Sequence, residues 1–206
     1  MTTDEFNSTS KEYLLLGAKE TYRNASSHYL FAEQASSLGH FGIANSLLIL
    51  SVEECIKSII LTAGYFNIEV PFEIKPFFSD HKTKHGQAAE LQPLLNELWK
   101  IKDLLIAIFK NRESPAKLLI ELGLTWVLVS IGLKNMQLED FKAWWGKANY
   151  QKNCGLYVGF ENGKWILPSE ISKEDYERTL IITKPFIECL TIVNELRSDD
   201  YKLLSS

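Results

Sequence analysis

Leu47-Leu48-Ile49-Leu50-Ser51-Val52-Glu53-Glu54-Cys55-Ile56-Lys57-Ser58-Ile59-Ile60-Leu61 is apolar on nearly every helical face, yet it carries three charges near its middle. A helix of that texture is one that other helices surround, so the charges are expected away from bulk water. Unpaired carboxylates there would neutralise or destabilise the fold, and removing one partner of a buried pair costs about 3–5 kcal/mol. The spacing supplies the compensation. Glu53 and Lys57 stand at i,i+4 and Glu54 and Lys57 at i,i+3, so one carboxylate can pair within the helix while the other addresses a neighbouring helix. That second carboxylate is the first candidate for function. The same i,i+4 pair is also common on solvated faces, where it contributes little.

Around this segment the chain reads as helices. A Thr9-x-x-Glu12 capping box opens a first helix over 10–37, closed by Gly39. The second spans 41–64. Residues 65–79, with Pro71 and Pro76, read as a loop, because each proline biases the residue before it away from helix. Leu94, Leu95, Leu98, Ile101, Leu105 and Ile108 place a third helix at 87–110, and Pro115, well tolerated in a first turn, begins a fourth at 115–133.

Beyond Asn135 the texture changes. Residues 138–148 suit a short helix carrying Phe141, Trp144 and Trp145. Strands follow at 156–160 and 165–167 around Glu161-Asn162-Gly163-Lys164, since Asn-Gly between β-formers is a hairpin signal. Pro168 ends the second strand. A last helix over 172–196 contains Pro185 and is expected to kink there. The expectation is an all-α antiparallel bundle with a small C-terminal β-hairpin appendage, in a single domain over 1–206: a four-helix core at 10–134, the short helix and hairpin at 135–171, and the final helix at 172–206.

Composition narrows the function classes. With 206 residues, 46% hydrophobic and 23% charged, the chain has the inventory of an ordinary globular protein. Its three cysteines, Cys55, Cys154 and Cys189, are odd in number and far apart, which suggests neither a disulfide framework nor a cysteine zinc site and fits a cytoplasmic location. Met1 to Asn7 lacks the basic-then-apolar order of a signal peptide. The greasiest stretch, 118–133, includes Glu121 and falls short of the roughly 20 residues that span a bilayer, so no membrane partner is expected. A net charge of −4 argues against bulk coating of nucleic acid, although a local basic site stays open. No phosphate loop, nucleophile elbow or H-E-x-x-H helix is present.

Two polar groups remain. Asp80-His81-Lys82-Thr83-Lys84-His85 follows the proline-rich loop and starts a helix, where two imidazoles and two ammonium groups can accept a phosphate; a charged, solvated turn is the alternative. His81 and His85 have metal-compatible spacing but no third ligand nearby, so neither a metal nor any other cofactor is expected. On the first helix, Asn24 and His28 share a face and Arg23 flanks them. An Arg-x4-His arrangement of this kind can cut RNA without metal, the imidazole moving protons and the guanidinium stabilising the phosphorane. Exposed helix residues would give the same pattern.

Taken in order, Arg23-Asn24-Ala25, Ala32-Glu33-Gln34-Ala35, Gly39 to Leu47, Glu53-Glu54-Cys55-Ile56-Lys57 and His81-Lys82-Thr83-Lys84 resemble the HEPN superfamily of helical proteins. Within it they look most like the AbiV-type phage abortive-infection family. Gly155-Leu156-Tyr157-Val158, Trp165 and Pro168 are similar to that family's C-terminal segment, and the resemblance runs over 22–168. It implies a HEPN-like bundle, a homodimer, and an antiphage effector that arrests growth or translation, acting on RNA or the ribosome in answer to a phage-encoded protein. Many HEPN proteins are metal-independent endoribonucleases with Arg–His motifs paired across a dimer. Here that element lies on the first helix, whereas in the nucleases it sits on a later one. The positions that match the AbiV pattern are Glu53, Glu54, Lys57, His81 and Lys84: His81 is expected as acid/base, Lys84 with Lys82 as phosphate holders, and the Glu53–Lys57 group as orienting residues. His85, Arg23, Asn24 and His28 complete the expected substrate contacts. The alternatives are a non-catalytic helical protein acting through a phage or ribosomal partner, and a small-molecule transferase, for which no cofactor signature exists.

Overall fold

The computed structural model describes residues 3–65, Phe78 and 138–196. The helices expected at 87–110 and 115–133, Trp126 and the His81–His85 element lie outside the described residues. Among the described residues the elements are α1 (Thr3–Ser8), α2 (Lys11–Ser37), α3 (Phe41–Tyr65), α4 (Leu138–Leu156), the strands β1 (Gly159–Glu161) and β2 (Lys164–Ile166), a 3-10 turn at Pro168–Glu170, and α5 (Lys173–Leu196). The protein is thus all-α with a two-stranded antiparallel appendage. Among the described residues no helix is long and apolar enough to cross a membrane.

The start of α2 differs from the expected capping box. Thr9 Oγ1 donates to the Glu5 carbonyl at 2.6 Å and so finishes α1, leaving Ser10 to cap α2 by accepting from the Tyr13 amide at 3.5 Å. At the other end, the Gly39 amide bonds to the Ser36 carbonyl and the His40 amide to the Ala35 carbonyl, with Gly39 at φ +79°. This Schellman arrangement turns the chain straight back into α3.

α2 and α3 pack antiparallel through small residues repeated every seven. Ser58 Oγ donates to the Ala18 carbonyl and Ser51 Oγ to the Ala25 carbonyl, both at 2.8 Å, and seven residues further along each helix Ala32 meets Ala44 in the core. Ala18, Ala25, Ala32 and Ala44 are all fully buried. A side chain no longer than serine lets the two backbones approach closely enough for a hydroxyl to reach across, so the stripe sets both register and distance. Phe6 of α1 folds over the far end, against Gly64 and near Leu14.

α4 is longer than expected. It runs through Leu156, past the expected end at 148 and into the first residue of the strand expected at 156–160, because packing against α3 holds this backbone in helix. Ser46 Oγ lies 2.8 Å from the Lys152 carbonyl and 3.0 Å from that of Gly42, while Gly155 sits so close that a Cβ there would strike the Gly42 carbonyl oxygen and Ser46 Oγ. These contacts fix α4 antiparallel to α3. Trp144 and Trp145 are buried, with the Trp144 indole donating to Thr179 Oγ1 of α5 at 3.3 Å. α5 continues through Pro185 to Leu196. Its Tyr176 joins Ala32, Ala44 and Leu48 in the core, and Thr191 accepts from the Tyr22 hydroxyl at 3.2 Å.

The hairpin register pairs Phe160 with Trp165 and Glu161 with Lys164. Asn162 at φ 51° and Gly163 at φ 80° form the turn, two successive left-handed residues that match the twist of the strands.

Candidate functional site

α3 is covered by α2 on one side and α4 on the other, so Glu53, Glu54 and Lys57 fall where three helices meet. Glu54 accepts from Lys57 Nζ at 2.6 Å, with the two side chains 15% and 23% exposed. Glu53 turns instead to α4. It accepts from Lys152 Nζ at 2.6 Å, and here the side chains are only 9% and 4% exposed. The division is the one the spacing predicts, one carboxylate held within the helix and its neighbour given to another.

Lys152 is the residue that the sequence reading missed. It lies on the α4 face that also carries Ala148 and Gly155, so its stem runs down a groove between close-packed backbones. Helical side chains lean toward their own N-terminus, and in antiparallel helices Lys152 and Glu53 therefore lean toward each other. A lone lysine in a helical stripe of Trp145, Ala148 and Gly155 was the available signal.

His28 of α2 completes the group. Burial pushes its imidazole below the ordinary histidine value of 6.5, and the opposing influence of Glu54 and Glu53 is partly cancelled by Lys57. The reason is desolvation: the cost of taking an imidazolium out of water outweighs the attraction of the two carboxylates, which Lys57 weakens. The half-buried His28 is accordingly held neutral at pH 7, the form that accepts a proton.

The other expected site residues divide. Arg23 points to solvent and pairs with Glu20 at 3.3 Å, the side chains being 68% and 53% exposed, and Asn24 is exposed as well. Neither joins His28. His81, Lys82, Lys84 and His85 lie outside the described residues.

A family model described as AbiV, of the HEPN group, matches residues 14–187. The chain belongs to the AbiV family. The matched span holds His28, Glu53, Glu54, Lys57 and Lys152, and membership gives this AbiV-family chain an abortive-infection, antiphage role. Neither the curated proteins nor the solved structures provide a match.

A second feature lies away from the charged group. A cavity of about 420 Å³ opens where the start of α3 meets the base of the hairpin, lined by His40, Phe41, Ile43, Val158, Leu167 and Pro168 among others. None of the charged group lines it.

Proposed function

We propose that this protein is the effector of an abortive-infection response and arrests the infected cell by metal-independent cleavage of RNA, with a second copy of the chain completing the assembly and a phage-encoded protein as the trigger. The observation that carries this reading is the AbiV family match over residues 14–187. The chemistry it asks for is a neutral imidazole near an RNA 2′-hydroxyl. His28 takes that proton, the 2′-oxygen attacks the adjacent phosphorus, and the 5′-oxygen leaves with a proton from a second acid, the role we assign to His81. The products are a 2′,3′-cyclic phosphate and a 5′-hydroxyl. Glu53, Glu54, Lys57 and Lys152 hold the helices around His28, and Lys84 and Lys82 remain the proposed phosphate holders.

A non-catalytic reading has an observation of its own: Lys57 and Lys152 each already hold a carboxylate at 2.6 Å, as a structural cluster would. One experiment separates the two. Cells expressing the wild type, His28→Ala or His81→Ala are challenged with phage, and the purified proteins are incubated with total bacterial RNA in EDTA. Loss of both protection and cleavage in the histidine variants supports catalysis. Full protection by both variants, with no cleavage by wild type, refutes it in favour of partner binding.

A further inference from the structure

Charge is missing from one end of the bundle. The chain as a whole is 23% charged, yet between Asn24 and Val52 its single charged residue is Glu33. Glu33 turns away, toward Tyr29 on the α5 side of α2. The hairpin that meets this end carries Glu161 and Lys164, and these are cross-strand neighbours on the face opposite Phe160 and Trp165. Glu170, just beyond the hairpin, accepts from the Leu167 amide at 3.2 Å.

What this end displays instead is apolar. Phe31 and Ile43 each precede a member of the facing pair Ala32 and Ala44, and on antiparallel helices one step back turns both to the same flank, where both are exposed. Leu38, two turns beyond Phe31, is 74% exposed. Ile43 also lines the 420 Å³ cavity, together with Val158 and Leu167. Alternation along the strands puts those two on the hairpin face that bears Phe160 and Trp165, 60% and 63% exposed with ring centroids 5.0 Å apart. The helix corner and the hairpin thus form one patch around the cavity. Its seven side chains, at these exposures, present on the order of 800 Å². That exceeds the largest patch of a typical monomer, about 300–600 Å², and matches the about 800 Å² per partner that a stable dimer buries.

Shape and charge both select a second copy as the occupant. A projecting pair of rings stands beside a concave site on the same face, so a twofold axis between two copies puts each copy's rings into the other's cavity, the reciprocal contact of an isologous interface. Each copy carries a net charge of −4, so copies approach most closely across a surface without charge, and interface cores are depleted of charge and enriched in aromatic residues. We propose that two copies of the chain associate through this patch, Phe160 and Trp165 of each entering the cavity between the start of α3 and the hairpin base of the other. Of the function proposed above, this assignment rests on the second copy alone and not on the cleavage of RNA.

The test is sedimentation equilibrium of the full chain from low to high micromolar concentration. Wild type is expected to dimerise. Trp165→Ala removes a central aromatic anchor from both sides of a symmetric contact and should weaken dimerisation at least about thirtyfold. Leu38→Glu sets like charges against each other and should weaken it at least about tenfold. Ile181→Glu, on exposed surface of α5 outside the patch, should leave it unchanged. Thermal melts unchanged from wild type establish that these exposed substitutions leave the fold intact. As a second measurement, a photoreactive benzoylphenylalanine in place of Phe160, in isotope-labelled chain mixed with unlabelled chain, should cross-link between copies to residues 39–43. Dimers of wild-type affinity in both Trp165→Ala and Leu38→Glu, or cross-links confined within one copy, overturn this surface, and the second copy then binds elsewhere. A monomeric wild type overturns both the surface and the second copy, whatever the RNA assay shows. If that monomer still needs Trp165 to protect cells from phage, the face belongs to a different protein.

Discussion

Replacing Glu53 with alanine is expected to be the most damaging single change in the charged group. At 2.6 Å and an effective dielectric near 20, the Glu53–Lys152 attraction is about 6 kcal/mol, and desolvating two ions offsets most of it, so the intact pair adds little net stability. Alanine removes the attraction and leaves the cost. Lys152, 4% exposed between α3 and α4, keeps its desolvation without its partner, and the expected loss is about 3–5 kcal/mol. Glu54→Ala strands Lys57, but that ammonium is 23% exposed and can reach water, so about 1–2 kcal/mol is expected. Arg23→Ala, with both partners more than half exposed, should change stability by less than about 0.5 kcal/mol. Exchanging Glu53 and Lys152 together for leucine and methionine should recover most of the loss, because no ion is left stranded. Urea denaturation followed by far-UV circular dichroism measures all four. A loss below 1 kcal/mol for Glu53→Ala, or a double variant as unstable as the single one, would refute the buried-pair argument.

Three further outcomes follow from the geometry. His28 has a lower pKa folded than unfolded, so protons favour the unfolded chain: its contribution to stability is complete above the ordinary value of 6.5 and is lost as pH falls below it. Urea midpoints at pH 7.5 and 5.0 should differ less in His28→Asn than in wild type, and an unchanged difference counts against this assignment. Gly155→Ala should destabilise by more than about 2 kcal/mol, because the new methyl group meets a helix carbonyl and Ser46 Oγ rather than a side chain that can yield. A melting temperature within a degree of wild type would show that α3 and α4 can separate freely. Asn45, fully buried, has no hydrogen-bond partner for either amide atom among the described residues, so Asn45→Leu should raise stability by about 1 kcal/mol, and a fall on the same urea scale would reveal a partner or a packing role.

Much of the fold was legible because its signals are local. The all-round apolarity of 47–61 marks a surrounded helix, Asn162-Gly163 marks a two-residue hairpin turn, and Glu53, Glu54 and Lys57 are set by helical spacing alone to divide into an internal pair and an outward carboxylate. Periodicity also placed the boundaries of α2, α3 and α5 within a residue or two.

The tertiary structure decided what depends on distance between elements. Thr9 and Ser10 are both competent caps, and only the formation of α1 commits Thr9 to Glu5 and leaves the N-cap to Ser10. Leu156 opens a segment of strand-like texture and no helical signal extends past Ala148, but Gly155 and the Lys152 carbonyl lie against α3, and that contact carries the helix through Leu156. The partner of Glu53 is 99 residues away in sequence, so no local pattern on α3 could identify it. His28 and Arg23 look like a pair when read along one helix; folding turns His28 toward Glu54 and leaves Arg23 in water. Sequence determines which residues share a face of one helix, because that follows from 3.6 residues per turn. Which face of which other helix they meet is fixed only when the small residues at 18, 25, 32, 42 and 155 bring the backbones together.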